Sequence, residues 1–178
     1  KIISKDLDDD ADNLFWSEDS QSIYFAFDNR GERTIKQISL NGDLNEIASN
    51  VGGTTIGRPY ISGGFHIANG TAAYTYGKPD RPADVGVSIK GKTKVLTQLN
   101  EDILDYRKLG KVNEIIYNSS FDNEEIHGWY ITPPNFDPAK KYPLILEIHG
   151  GPHLAYGPHF SAELQIMAAS GYIVFYDN

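Results

Sequence analysis

The 178-residue sequence has no cysteine, a single methionine, and only 16 lysines and arginines against 24 acidic residues. Without cysteine there can be no disulfide scaffold, zinc ribbon or thiol nucleophile. A net charge of −8 and a pI near 5.0 argue against a phosphate-binding surface, because such affinity is built from Lys and Arg. No nucleic-acid partner is expected. No stretch approaches the ~20 consecutive apolar residues of a membrane span, so no membrane partner is expected either. Lys1 opens the sequence with no apolar h-region behind it. The expectation is therefore a trimmed or processed start, no signal peptide and a cytoplasmic location, with periplasm and secretion left open.

What the sequence does contain suits a folded core, with 40% apolar residues and 12% aromatics. These are enough to offset the chain entropy that keeps polar sequences disordered. The length fits one domain or two small ones. Near the start lie Asp6, Asp8, Asp9, Asp10 and Asp12, a spacing that invites comparison with a calcium loop. Counted from Asp6, the sixth place is Ala11 and the twelfth Ser17, where that loop needs Gly and a bidentate Glu. A solvated acidic turn is the expectation.

Next comes a pattern that occurs twice. Phe15-Trp16, the polar run Ser17 to Ser22 and Ile23-Tyr24-Phe25 form strand, turn, strand; Phe65-His66-Ile67-Ala68, Asn69-Gly70 and Thr71 to Thr75 repeat the form with Tyr74 fifty positions after Tyr24. Ile38-Ser39-Leu40 leads into Asn41-Gly42, read as a type I′ turn, and Val87-Ser88-Ile89-Lys90-Gly91 is its counterpart at an offset of 49. A last short strand follows each, at Leu44 to Ala48 and Lys94 to Thr97. Four short antiparallel strands at this period are the sequence form of a β-propeller blade, with an ordinary meander or sandwich as the alternative. Propellers close with roughly four to eight blades, and two repeats are present, over 12–50 and 62–99.

Beyond Leu99 the pattern changes. Asn100 to Lys111 suits a connector with one helical turn, and Val112 to Asn118 with Glu125 to Thr132 suits a hairpin. Leu144 to Ile148 has the form of a buried strand, Phe160 to Ala169 carries apolar residues at helical spacing, and Tyr172 to Tyr176 is a second buried-type strand. Strand, helix, strand is a βαβ unit and implies a parallel sheet. Gly171 stands where the helix should stop. The expected fold class is therefore mixed: β-propeller blades over 1–105, then the N-terminal part of an α/β-hydrolase domain over 106–178.

Two motifs invite chemistry. Gly86-Val87-Ser88-Ile89-Lys90-Gly91-Lys92-Thr93 satisfies the phosphate-loop pattern at every required position, but its interior alternates as a strand and a strand follows it. A hairpin turn at Gly91 explains these residues without a nucleotide. Ile148-His149-Gly150-Gly151-Pro152 is different, because it lies at the carboxyl end of a predicted strand, where open α/β sheets bind ligands. Two glycines there allow a close backbone approach and an outward-facing N–H, which is what an oxyanion hole needs. His-Gly-Gly after the third strand is a known half of such a hole in α/β-hydrolases.

Residues 112–178 resemble the start of the catalytic domain of the prolyl oligopeptidase family of serine peptidases, in its acylaminoacyl-peptidase and dipeptidyl-peptidase branches. The resemblance rests on Ile126-His127-Gly128-Trp129-Tyr130-Ile131-Thr132-Pro133-Pro134, on Tyr142 to His153, and on Ala168-Ala169-Ser170-Gly171-Tyr172-Ile173-Val174-Phe175. The family's propeller precedes its hydrolase domain, as the two repeats do here. The resemblance implies a peptide substrate, acyl transfer through a Ser-His-Asp triad, no cofactor, and Gly151 as an oxyanion N–H donor. It places His149 where other branches carry a Tyr; a structural histidine locking the turn is the alternative role.

The family's nucleophile sits in a G-x-S-x-G elbow. Ser62 has the trailing Gly64 but Tyr60 at the leading place, and Ser161 has neither glycine. The expectation is a piece of a peptidase whose triad lies beyond residue 178, inactive by itself. A non-catalytic binding module and a carboxylesterase are the competing functions. His66 is expected to be packed, His127 to face outward, and His153 and His159 to flank the loop after Gly151, none with metal-ligand spacing. Open sheet edges lead to an expectation of self-association or a homo-oligomer.

Overall fold

The computed structural model describes residues 2–5, 7, 10–151 and 153–178. Asp6, Asp8 and Asp9 of the acidic opening lie outside the described residues. Twelve strands and two helices are assigned among those described, in three four-stranded sheets.

The first sheet is an antiparallel meander of β1 (Ala11–Trp16), β2 (Ser22–Asn29), β3 (Glu32–Ser39) and β4 (Leu44–Ala48). The second repeats it with β5 (Phe65–Ala68), β6 (Thr71–Lys78), β7 (Arg81–Ile89) and β8 (Lys92–Val95). Alternation along the strands gives each sheet an apolar face, and the two meet over Ile35, Ala48, Val51, Ala72 and Tyr74. On the first sheet's other face Phe25, Phe27 and Ile38 pack with Ile3 and Leu7. Asn69-Gly70 and Lys90-Gly91 are left-handed pairs, with φ of 48°/68° and 51°/73°, as two-residue hairpin turns require. At Asn41-Gly42 only Gly42 has positive φ, 103°. That turn is a three-residue loop in which Gly42 N–H donates to Ser39 O at 2.9 Å, because Ser39 Oγ holds the Asn41 and Asp43 amides at 3.2 and 3.0 Å. Gly86 to Ile89 lie inside β7, and the Ser88 hydroxyl is buried and donates to Ile47 O at 2.6 Å, so no phosphate loop forms.

After the short α1 (Glu101–Leu104) come β9 (Lys111–Asn118), β10 (Glu125–Thr132), β11 (Leu144–Glu147), α2 (Ala162–Ala169) and β12 (Ile173–Asp177). The sheet order is β11-β12-β10-β9, with β11 and β12 parallel and the other pairs antiparallel. The strand-helix-strand expectation holds. α2 starts on Ser161, whose Oγ accepts from Leu164 N–H at 3.2 Å. It ends at Gly171, φ 97°, where Gly171 N–H donates to Ala168 O and Tyr172 N–H to Met167 O, the paired closure that a left-handed glycine permits. The helix covers one sheet face through Leu164 and Ala168, packed with Trp129, Ile131, Val174 and Tyr176. Its buried Gln165 closes on Gly110 with two bonds, accepting from the Gly110 N–H at 2.7 Å and donating to its carbonyl at 3.0 Å. β11 corrects one expectation. It is an edge strand, with Leu144, Leu146 and Ile148 exposed at 64%, 53% and 74%, because α2 covers only the other face.

The meanders dock on the third sheet through the turn between β2 and β3 and the segment between β4 and β5. His159 is buried at this junction, 5% exposed, against Gly52, where a Cβ would come within 2.7 Å of the ring. Burial pushes its pKa from 6.5 down to about 4, with a Gly31 backbone hydrogen bond opposing the shift. His159 is therefore neutral in both folded and unfolded chains above pH 6.5. Between about pH 6.5 and 4 only the unfolded chain takes up the proton, so stability falls across that window, by roughly 3 kcal/mol, and levels off below it. Urea titrations of His159→Gln at several pH values are expected to lose this part of the slope; an unchanged slope would show that His159 does not contribute it.

Candidate oxyanion turn

β11 and β12 run parallel, so β11 delivers its last residues to the carboxyl edge of the sheet, and the chain turns there through Ile148-His149-Gly150-Gly151. Gly151 has φ 72° and leaves Leu154 N–H to donate to its carbonyl at 2.9 Å. A side chain at Gly151 would be strained by that φ and would approach Leu154 Cδ1 to 3.2 Å. Among the described residues, nothing accepts a hydrogen bond from the Gly151 N–H, and the residue is exposed. His149 is half-buried, its ring edge-on to Tyr156 with centroids 5.3 Å apart, and its Nδ1 lies 3.4 Å from Gly150 O. Both contacts hold the ring against the turn.

Residues far away in sequence build the wall behind the turn. Glu147, at the end of β11, accepts from the Tyr156 hydroxyl at 3.1 Å and pairs with Arg58 Nε at 3.1 Å. Arg58 also pairs with Glu163 in the first turn of α2 at 2.8 Å. Tyr60 packs against Tyr156 with the rings tilted at 48° and centroids 4.7 Å apart, and its hydroxyl lies 3.5 Å from Gly150 O. Tyr156 is buried, and desolvation raises the pKa of its phenol, which keeps it a neutral donor to Glu147. No sequence signal marked Arg58, Tyr60 or Tyr156, because Tyr60 and Gly150 are 90 positions apart.

The other candidates disperse. Ser161 Oγ donates to Gly57 O at 2.7 Å while capping α2, so its hydroxyl is committed to structure. His66 is exposed, with its edge on Phe15 at 5.2 Å, because β5 turns that ring to the sheet's rim. His127 is largely covered rather than outward-facing; its Nε2 lies 2.9 Å from Glu125 and its Nδ1 3.7 Å from Glu114. His153 is exposed beside a cleft of about 490 Å³ between the β2–β3 turn and the sheet's carboxyl edge, which Asp28, Arg30, Glu125 and His127 also line. No group of three or more metal-ligating side chains occurs among the described residues.

Asn178 closes the turn from below: its Oδ1 accepts from Tyr156 N–H and its Nδ2 donates to Tyr156 O, both at 2.7 Å. Asn178→Ala strands both backbone groups of a buried residue and is expected to cost about 1–3 kcal/mol in urea unfolding; a loss within a few tenths would rule out the clamp.

No family model matches the sequence. An uncharacterized peptidase of Bacillus subtilis is 31% identical over 166 residues, covering 92% of this chain and 24% of that protein. A dipeptidyl-peptidase 5 of Porphyromonas gingivalis is 28% identical over 181 residues, covering 99% of this chain and 25% of its own length. The acylaminoacyl peptidase of Pyrococcus horikoshii superimposes with a TM-score of 0.78 at 27% identity, over 99% of this chain and 26% of that structure. The chain thus spans about a quarter of the length of the relatives it matches, and it is homologous to that part of the dipeptidyl-peptidases and acylaminoacyl peptidases of the prolyl oligopeptidase family.

Proposed function

We propose that this sequence supplies the oxyanion turn, and part of the covering propeller, of a serine peptidase that cleaves short peptides by acyl transfer. The observation that carries the proposal is the Gly151 N–H, unpartnered among the described residues, at the carboxyl end of the third strand of a sheet whose β11 and β12 run parallel around α2. In that reading the two meanders are propeller blades and 106–178 begins the α/β-hydrolase domain. A serine, with its histidine and aspartate, comes from chain beyond these residues. The serine attacks the acyl carbon, the histidine takes the hydroxyl proton and later passes it to the leaving amine, and the aspartate orients the histidine. Through these steps Gly151 N–H donates to the oxygen as it becomes an oxyanion, joined by the amide that follows the serine.

A peptide is the substrate class best supported. A related acylaminoacyl peptidase structure, 27% identical to this chain, holds Z-Gly-Gly-Phe-chloromethyl ketone, and the cleft beside His153 opens next to the turn. For His149, the ring contact with Tyr156 and the approach of its Nδ1 to Gly150 O support a role in bracing the turn.

The test is fluorophosphonate labelling of two proteins. A longer chain that carries residues 1–178 and a downstream G-x-S-x-G is expected to label and to hydrolyse an acylaminoacyl or dipeptidyl anilide faster than a short-chain ester. The 178 residues alone are expected not to label. Labelling of the short chain, or an inert long chain, would overturn the assignment.

A further inference from the structure

The oxyanion turn depends on one peptide plane. Gly150 C=O and Gly151 N–H belong to the same planar trans unit, so they point in opposite directions, and whatever holds the carbonyl aims the amide. Glycines at both positions impose little torsional restraint of their own, and a Cβ at Gly150 would meet nothing within 4 Å. The plane must therefore be held by hydrogen bonding. Two side chains reach the carbonyl: His149 Nδ1, from within the turn, at 3.4 Å, and the Tyr60 hydroxyl, from the segment between β4 and β5, at 3.5 Å. Both contacts are long for hydrogen bonds, and the Tyr60 hydroxyl is shared with the Tyr156 phenol, to which it also hydrogen-bonds.

We propose that Tyr60 is a positioning residue: its hydroxyl grips Gly150 O and thereby presents Gly151 N–H to the acyl oxygen. The inference rests on the oxyanion reading of Gly151. Tyr60 is itself rigidly placed. Its backbone bridges antiparallel to Tyr156, Ile61 N–H donates to Ala155 O at 3.0 Å, and Gly157 N–H donates to Pro59 O at 2.9 Å. Its carbonyl accepts from Thr55 Oγ1 at 3.0 Å. Two residues earlier on the same segment, Arg58 holds Glu147 at the other end of the turn. The segment that joins the two meanders thus grips the turn on both sides of His149, so the meander half of the chain sets the direction of the Gly151 amide.

Tyr60→Phe removes the hydroxyl and keeps the ring packed against Tyr156, so the fold and its melting temperature should persist. Tyr60→Ala removes the ring contact as well and is expected to lower the melting temperature, which separates packing from aiming. In nitrogen-15 spectra of the 178-residue chain, Tyr60→Phe should displace the Gly151 amide signal while signals of β2 and β6 stay in place. In a catalytically competent chain carrying these residues, the same change should lower kcat roughly tenfold and leave KM within about twofold, because the donor acts on charge that develops only in the transition state. An unmoved Gly151 signal would overturn the positioning role. A displaced signal with unchanged kcat would instead remove the oxyanion reading on which that role rests.

Discussion

The arrangement of this chain depends on the pairing of the segment between β4 and β5 with the stretch that follows the glycine turn. Ile61 and Pro59 exchange backbone hydrogen bonds with Ala155 and Gly157, Ala162 N–H donates to Ile56 O at 2.8 Å, and Ser161 Oγ donates to Gly57 O. Before reaching that partner the same segment runs along β6, where Gly52 N–H donates to Thr75 O and Gly77 N–H to Asn50 O, each at 3.0 Å. One short stretch therefore satisfies backbone groups on two units and ties them together. A backbone group left buried without such a partner costs about 1–3 kcal/mol.

Side-chain amides complete the joints that backbone pairing leaves open. Gln165 and Asn178 each present one acceptor and one donor in the geometry of a peptide group, closing on Gly110 and Tyr156 respectively. Neither carries charge, so neither incurs the desolvation penalty of an ion at a half-buried joint. Charge appears in pairs, in the half-buried Arg58 bridge between Glu147 and Glu163 and in the buried Arg33, held between Asp12 and Asp28.

Much of the fold was legible from local pattern. The repeats at Phe15 and Phe65, the hairpin of β9 and β10, the helix stop at Gly171 and the parallel strands around α2 follow from alternation, turn residues and helical spacing, which act between near neighbours. The misreadings arose where a distant surface decides. Leu144, Leu146 and Ile148 form an apolar run that looks buried in sequence, yet helix packing covers only the opposite face of β11. Asn41-Gly42 has the composition of a type I′ turn, but the hydroxyl of Ser39 organises a longer loop. His66 has the place in its repeat that Trp16 has in the first, and the rim position of β5 leaves it in solvent rather than packed.

The sequence by itself determined the two repeated meanders, the strand-helix-strand unit and the place of His149-Gly150-Gly151 at the end of a strand. Short-range propensity and two glycines suffice for those. Only the tertiary structure decided what stands behind that turn: Tyr60, Arg58, Tyr156 and Asn178 converge from positions as much as 120 residues apart along the chain, and no periodicity encodes such a meeting. The physical reason is that a peptide plane between two glycines has no preferred direction of its own, so its orientation has to come from groups that folding brings to its carbonyl.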